Sequence, residues 1–100
     1  DCNHGSALLG ALELAASQGY TRDQLYQLAV QLNSFWFPNN YIKTALYFKV
    51  FENKDFNRVD PKEIMSFKYS SASGWMKNVN EKLLNMPGFD SKNAGASCGA

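Results

Sequence analysis

Two cysteines, one histidine and nine acidic residues are the side chains of this sequence whose types could do chemistry. Cys2 and Cys98 stand at opposite ends of the chain, and His4 lies beside the first. One histidine and two remote cysteines are a poor zinc set, because a structural zinc takes four close ligands. A Cys-x-x-Cys redox pair is absent. A reactive thiol belongs on a helix terminus or beside a cation that lowers its pKa, whereas Cys98 sits in the small-residue stretch AGASCGA. The remaining reading is a disulfide joining Cys2 to Cys98. In the chain-entropy model a loop of that length stabilises by about 4.7 kcal/mol. Such a bond implies an oxidising compartment.

The carboxylates form no working pair. Asp55, Asn57 and Asp60 loosely follow a calcium loop, but the pattern then needs glycine where Asp60 stands and glutamate where Ser66 stands. Solvated loop charge and a helix cap account for them better. The stretch SASG lacks the first glycine of a serine nucleophile elbow, and no glycine-rich phosphate loop occurs. His4 reads as an exposed or capping residue. The expectation is a chain that is not an enzyme and uses no cofactor or metal.

Recognition is the other chemistry on offer. Fourteen residues are aromatic, and three of them run together in Ser34-Phe35-Trp36-Phe37-Pro38-Asn39-Asn40. Around a helix end, successive side chains diverge by roughly 100° each. One or two of Phe35, Trp36 and Phe37 can turn inward while another stays exposed. An aromatic beside the amides of Asn39 and Asn40 has the make-up of a binding hot spot. The second candidate is the small-residue loop from Lys68 to Gly74. Tyr69, Ser70, Ser71 and Ser73 there could enter a narrow cleft, or the serines could simply cap the next helix.

The elements that must position these residues are helical. Ala7, Leu8, Ala11, Leu12, Ala15 and Ala16 recur at helix spacing and stop at Gly19. Thr21 and Gln24 make a capping box for a second helix, with Leu25, Leu28, Ala29 and Leu32 as its stripe to about Asn33. Pro38 ends it. Asn39 or Asn40 is expected to cap a third helix with Tyr41, Ile42, Ala45, Leu46 and Val50 inward; residues 41–51 also suit a strand, but no partner strand is in sight. Asp60-Pro61 with Glu63 opens a fourth helix reaching Phe67 or Tyr69. Ser70 or Ser71 caps a last one, with Trp75, Met76, Val79, Leu83 and Met86 buried, before Pro87-Gly88. Residues 88–100 are a loop-like tail. The fold class is therefore all-α: a compact bundle of about five helices in a single domain, residues 1–100, its termini tied by one disulfide.

A formal charge of +1 with scattered Lys and Arg argues against nucleic acid, and the short apolar runs argue against membrane insertion. The start DCNHG reads as a mature chain after signal-peptide removal. Ten asparagines form no Asn-x-Ser/Thr acceptor, which leans toward a bacterial periplasm. The expected location is periplasmic or secreted.

With Cys2 and Cys98 at its ends, successive helices and the interhelical YSSASG loop, the chain resembles the small periplasmic immunity proteins of bacterial type VI secretion systems. That resemblance implies a protein, often dimeric, that places loop residues in the cleft of a secreted peptidoglycan amidase with a Cys-His centre. Two other readings stand beside it. One is a secreted carrier of an apolar small molecule, with a cavity bounded by Tyr41, Phe48, Phe51, Phe67 and Trp75. The other is a secreted adaptor or effector that binds a host protein.

Overall fold

A computed structural model describes residues 3–88, so the Cys2–Cys98 pairing and most of the 88–100 tail lie outside the described residues. Among the described residues every regular element is helical.

Helix α1 (Asn3–Ser17) is built from Ala and Leu, the strongest helix formers. It ends as expected at Gly19, whose φ of +95° is open to glycine. The Gly19 and Tyr20 amides donate back to the carbonyls of Ala16 and Ala15, each at 3.1 Å, closing the last turn. Helix α2 (Arg22–Trp36) starts on the expected capping box. The Gln24 amide donates to Thr21 Oγ1 at 3.2 Å, and the Thr21 amide donates to Gln24 Oε1 at 2.8 Å. Small residues let α1 lie against α2: Ala15 and Ala29 are both buried there.

The junction to helix α3 (Pro38–Phe51) is a single residue. Phe37, at φ −127° and ψ 61°, donates its N–H to the Asn33 carbonyl and accepts at its own carbonyl from the Tyr41 N–H. Pro38 is thus the first residue of α3, and neither Asn39 nor Asn40 caps it. Proline at this position loses no helix bond, and its fixed φ suits the first turn. Residues 41–51 are helix, as favoured. At its far end Asn53 takes a positive φ of 52°, and the Glu52 and Lys54 amides both donate to the Phe48 carbonyl at 3.1 Å.

The inward face of α3 differs from the expected one. Tyr47, Phe48, Thr44 and Lys43 are buried, while Ile42, Leu46 and Val50 are exposed. Apolar residues lie on more than one side of this helix, so periodicity does not choose between its faces. The face with the larger rings buries more surface.

After a 3₁₀ turn (Phe56–Arg58) come α4 (Pro61–Ile64) and α5 (Phe67–Ser70), short pieces where one longer helix was expected. Asp60 caps α4 through a 3.0 Å bond from the Lys62 N–H. Ser66 breaks the helix there: its hydroxyl donates to the Glu63 carbonyl at 2.6 Å, competing with the helix ladder. Helix α6 (Ala72–Trp75) then runs through a π-helical turn (Met76–Asn80) into α7 (Glu81–Leu84). Ser71 is the cap of α6, accepting from the Gly74 N–H at 2.9 Å. Trp75, Val79 and Leu83 are buried and Met86 packs against them, but Met76 faces out. The π-helical turn inserts an extra residue, which rotates the face away from the simple helical repeat.

One core results. Val30 of α2, Tyr47 and Phe48 of α3, Val59, Ile64 of α4, Tyr69 of α5, Trp75 of α6, Val79 of the π-helical turn and Leu83 of α7 meet there. Full burial of a side chain such as Phe48 or Leu83 is worth about 1.5–3 kcal/mol. The all-α, single-domain expectation holds; the expected count of about five helices becomes two long helices, a third, and a series of short ones.

Candidate functional site

The corner between α2 and α3 separates its three rings as the helical geometry requires. Phe35 lies on the outer side of α2 and is 78% exposed. Trp36 and Phe37 are half-buried and hold His4 of α1 between them. Its ring centroid is 5.4 Å from Trp36 and 5.0 Å from Phe37, the latter edge-on. His4 is thus half-buried rather than exposed, and its ring packs the start of α1 onto the corner. Asn39 is exposed. Asn40 is half-buried, and its side-chain oxygen has no hydrogen-bond partner among the described residues.

From Asn39 a continuous outer stripe runs along α3 at spacings of three and four residues: Asn39, Ile42, Leu46, Val50. Ile42 is 65% exposed, Val50 50% and Leu46 36%. Sequence reading placed these three apolar residues inward, so it found the residues and missed the surface. Only the rival ring-rich face of the same helix could have signalled the inversion.

The 66–75 segment is held from within. The Ser70 hydroxyl donates to the Ile64 carbonyl, and the Ser71 hydroxyl donates to the Phe67 carbonyl at 2.6 Å. Ser70 thus satisfies a carbonyl at the end of α4, and Ser71 Oγ adds to the 3.3 Å bond that its own N–H makes to the Phe67 carbonyl. Ser73 is exposed, and Tyr69 is a core residue only 4% exposed, which leaves little of it for a partner. Phe67 stands 77% exposed at the head of α5. Two links tie this segment to the corner. Trp75 Nε1–H donates to Thr44 Oγ1 at 2.9 Å, and that hydroxyl donates to the Asn40 carbonyl at 2.8 Å. Met65 Sδ is also approached by Asn33 Nδ2 at 3.5 Å and by the Tyr41 hydroxyl at 3.7 Å.

The titratable groups near the core include buried Lys43, whose Nζ lies 6.0 Å from the Trp75 ring centroid, and phenols gathered about Glu52. The Tyr69 and Tyr47 hydroxyls donate to Glu52 Oε2 at 3.3 and 3.5 Å. Burial pushes the Tyr69 hydroxyl well above its ordinary pKa of 10.0, helped by the Tyr47 hydroxyl and the negative charge of Glu52 and Glu63. Burial likewise raises Tyr41, against the opposing hydrogen bonds of Asn33 and Ser70. These shifts hold protons in place at any physiological pH. Among the described residues no three of His, Cys, Asp and Glu stand close enough to hold a metal, and no helix is long and apolar enough to cross a membrane.

Comparison with protein-family models, curated proteins and solved structures finds no match. A corner braced by His4, Trp36 and Phe37 displays a ring, and the helix it launches displays an aliphatic stripe. Of the residues expected to bound a carrier's cavity, Phe48 and Trp75 are packed in the core while Phe51 and Phe67 are exposed. A concavity of about 640 Å³ lies between α2 and residues 56–64.

Proposed function

We propose that this chain is a non-catalytic binding protein, acting as an immunity protein against a secreted peptidoglycan amidase in the periplasm. The observation that carries the reading is the outer face of α3. Ile42, Leu46 and Val50 stay in water on a helix whose opposite face is fully occupied by the core. Exposed apolar residues scattered singly are ordinary, but an ordered stripe of them on a braced helix is what a protein partner covers. Phe35 and the Asn39 amide supply the aromatic anchor and an adaptable polar neighbour at one end. A disulfide between Cys2 and Cys98, part of the same proposal, would suit that compartment. The partner's identity as an amidase rests on resemblance in plan and on the terminal cysteines.

The test uses the oxidised protein as bait in a periplasmic extract, with Leu46→Lys as a second bait. A stoichiometric Cys-His hydrolase retained by the wild type, lost by the variant and inhibited in wall hydrolysis supports the reading. A hydrolase retained equally by both baits removes the α3 face from it, and no hydrolase at all removes the immunity role. Sedimentation of the protein alone reads out the remaining occupant, a second copy, as a dimer that Leu46→Lys dissociates.

A further inference from the structure

The 640 Å³ groove between α2 and residues 56–64 has the size of a ligand site. Buried Val30, Val59 and Ile64 line it as an apolar floor, and half-buried Tyr26 and Phe56 stand beside them. Its polar lining includes two carboxylates, Asp23 and Asp60, against one ammonium, Lys62, so one negative charge is in excess. The Asp60 carboxylate is engaged by the Lys62 N–H as a helix cap. Asp23 is the carboxylate that faces the Lys62 ammonium.

What occupies the mouth of this groove is the protein's own cation. Lys62 Nζ lies 3.5 Å from Asp23 Oδ1 and 6.0 Å from the centroid of the Tyr26 ring. An aromatic face and a carboxylate converging on one cation make a site that stabilises positive charge. The resident cation is held loosely, with the Lys62 side chain 50% exposed and that of Asp23 86% exposed. Ion pairs this open are worth little and are readily exchanged.

We infer that this groove receives an arginine side chain from a partner protein, which displaces Lys62 from Asp23. Arginine fits better than lysine for three reasons. Its planar guanidinium can stack on the Tyr26 ring and meet a carboxylate with two parallel bonds. Further N–H donors can reach the side-chain carbonyls of Gln27 and Asn57 in the lining. Its methylenes lie along the Val30–Val59–Ile64 floor while the head stays wet. The site shares no residue with the α3 stripe and does not rest on the amidase reading.

The experiment follows backbone amide shifts of the ¹⁵N-labelled protein titrated with acetyl-Gly-Arg-Gly-amide, and with peptides carrying citrulline or lysine in place of arginine. Saturable shifts at Tyr26, Gln27, Asn57 and Lys62 are expected with the arginine peptide and none with citrulline. Removing the competitor in Lys62→Met tightens binding about two- to fivefold, the worth of an exposed ion pair, and Asp23→Asn weakens it. Equal shifts from citrulline or lysine, or no saturation with arginine, overturn the assignment. So does a Lys62→Met variant that binds more weakly, since that marks a site for anions.

Discussion

Gly74 shows how tightly the short helices are joined at the level of single atoms. A Cβ built on it meets the Phe67 carbonyl oxygen, and it lies 2.7 Å from both the Lys68 carbonyl oxygen and Ser71 Oγ. Two of those neighbours are backbone and cannot move aside without unseating α5. Gly74→Ala is therefore expected to cost about 1–3 kcal/mol in urea unfolding, the usual scale of overpacking. Gly10 is the opposite case, inside α1 with nothing within 4 Å of an added Cβ. Gly10→Ala should stabilise by about 0.5–1 kcal/mol, because glycine is the poorer helix residue. A loss at Gly10 as large as that at Gly74 would contradict the packing described for both. Thr44 makes a second atomic prediction. It accepts from buried Trp75 Nε1–H and donates to the Asn40 carbonyl. Thr44→Val keeps the shape but strands the indole N–H, at a cost of about 1–3 kcal/mol. Thr44→Ser should recover most of the loss, and tryptophan near-UV dichroism should follow the same order.

At the scale of elements, what was legible and what was not divide along a physical line. Local signals worked wherever a backbone group has one obvious partner. Thr21 with Gln24, Gly19, Asp60 and Ser71 each mark a helix end that the structure keeps. The aromatic corner was legible too, because three successive residues cannot share one face. Which face of α3 turns inward was not, since Ile42, Leu46 and Val50 compete with Tyr47 and Phe48, and only the tertiary partners decide. Nor did periodicity show the break at Ser66 or the π-helical turn that swings Met76 outward. The groove at Asp23 and Lys62 escaped notice for a related reason: its two walls are far apart in sequence and ordinary in composition. The inverted face of α3 has a direct consequence. Phe48→Ala should cost about 3–5 kcal/mol, while Leu46→Lys on the other face should stay within about 0.5 kcal/mol of wild type. Equal destabilisation by the two would return Leu46 to the core and remove the proposed partner surface.

The described residues extend over 47 × 30 × 19 Å, with a radius of gyration of 14.0 Å against about 12 Å for a typical domain of their length. The extension reflects unequal burial. Residues from α2 through α7 share one core, whereas α1 packs on α2 through small residues and on the α2–α3 corner through His4, and leaves Leu9 and Leu14 in water. Cooperative unfolding should therefore report on the α2–α7 core, and the buried phenols are its natural probe. Folding raises the pKa of both Tyr41 and Tyr69 above the ordinary value of 10.0. The folded chain then holds these two protons more tightly than the unfolded chain does. Their contribution is fully present below about pH 10 and is lost progressively as pH rises beyond it, because only the unfolded state releases the protons easily. Tyr69 also donates to Glu52 and would lose that bond on ionising. In an alkaline titration, the absorbance of Tyr41 and Tyr69 should change only as helical circular dichroism collapses. In denaturant both should titrate near 10, and Tyr69→Phe should flatten the fall of stability with pH. Ionisation of both near pH 10 with helicity intact would mean that the α3–α5 seam opens without the rest, and that the core is not one cooperative unit.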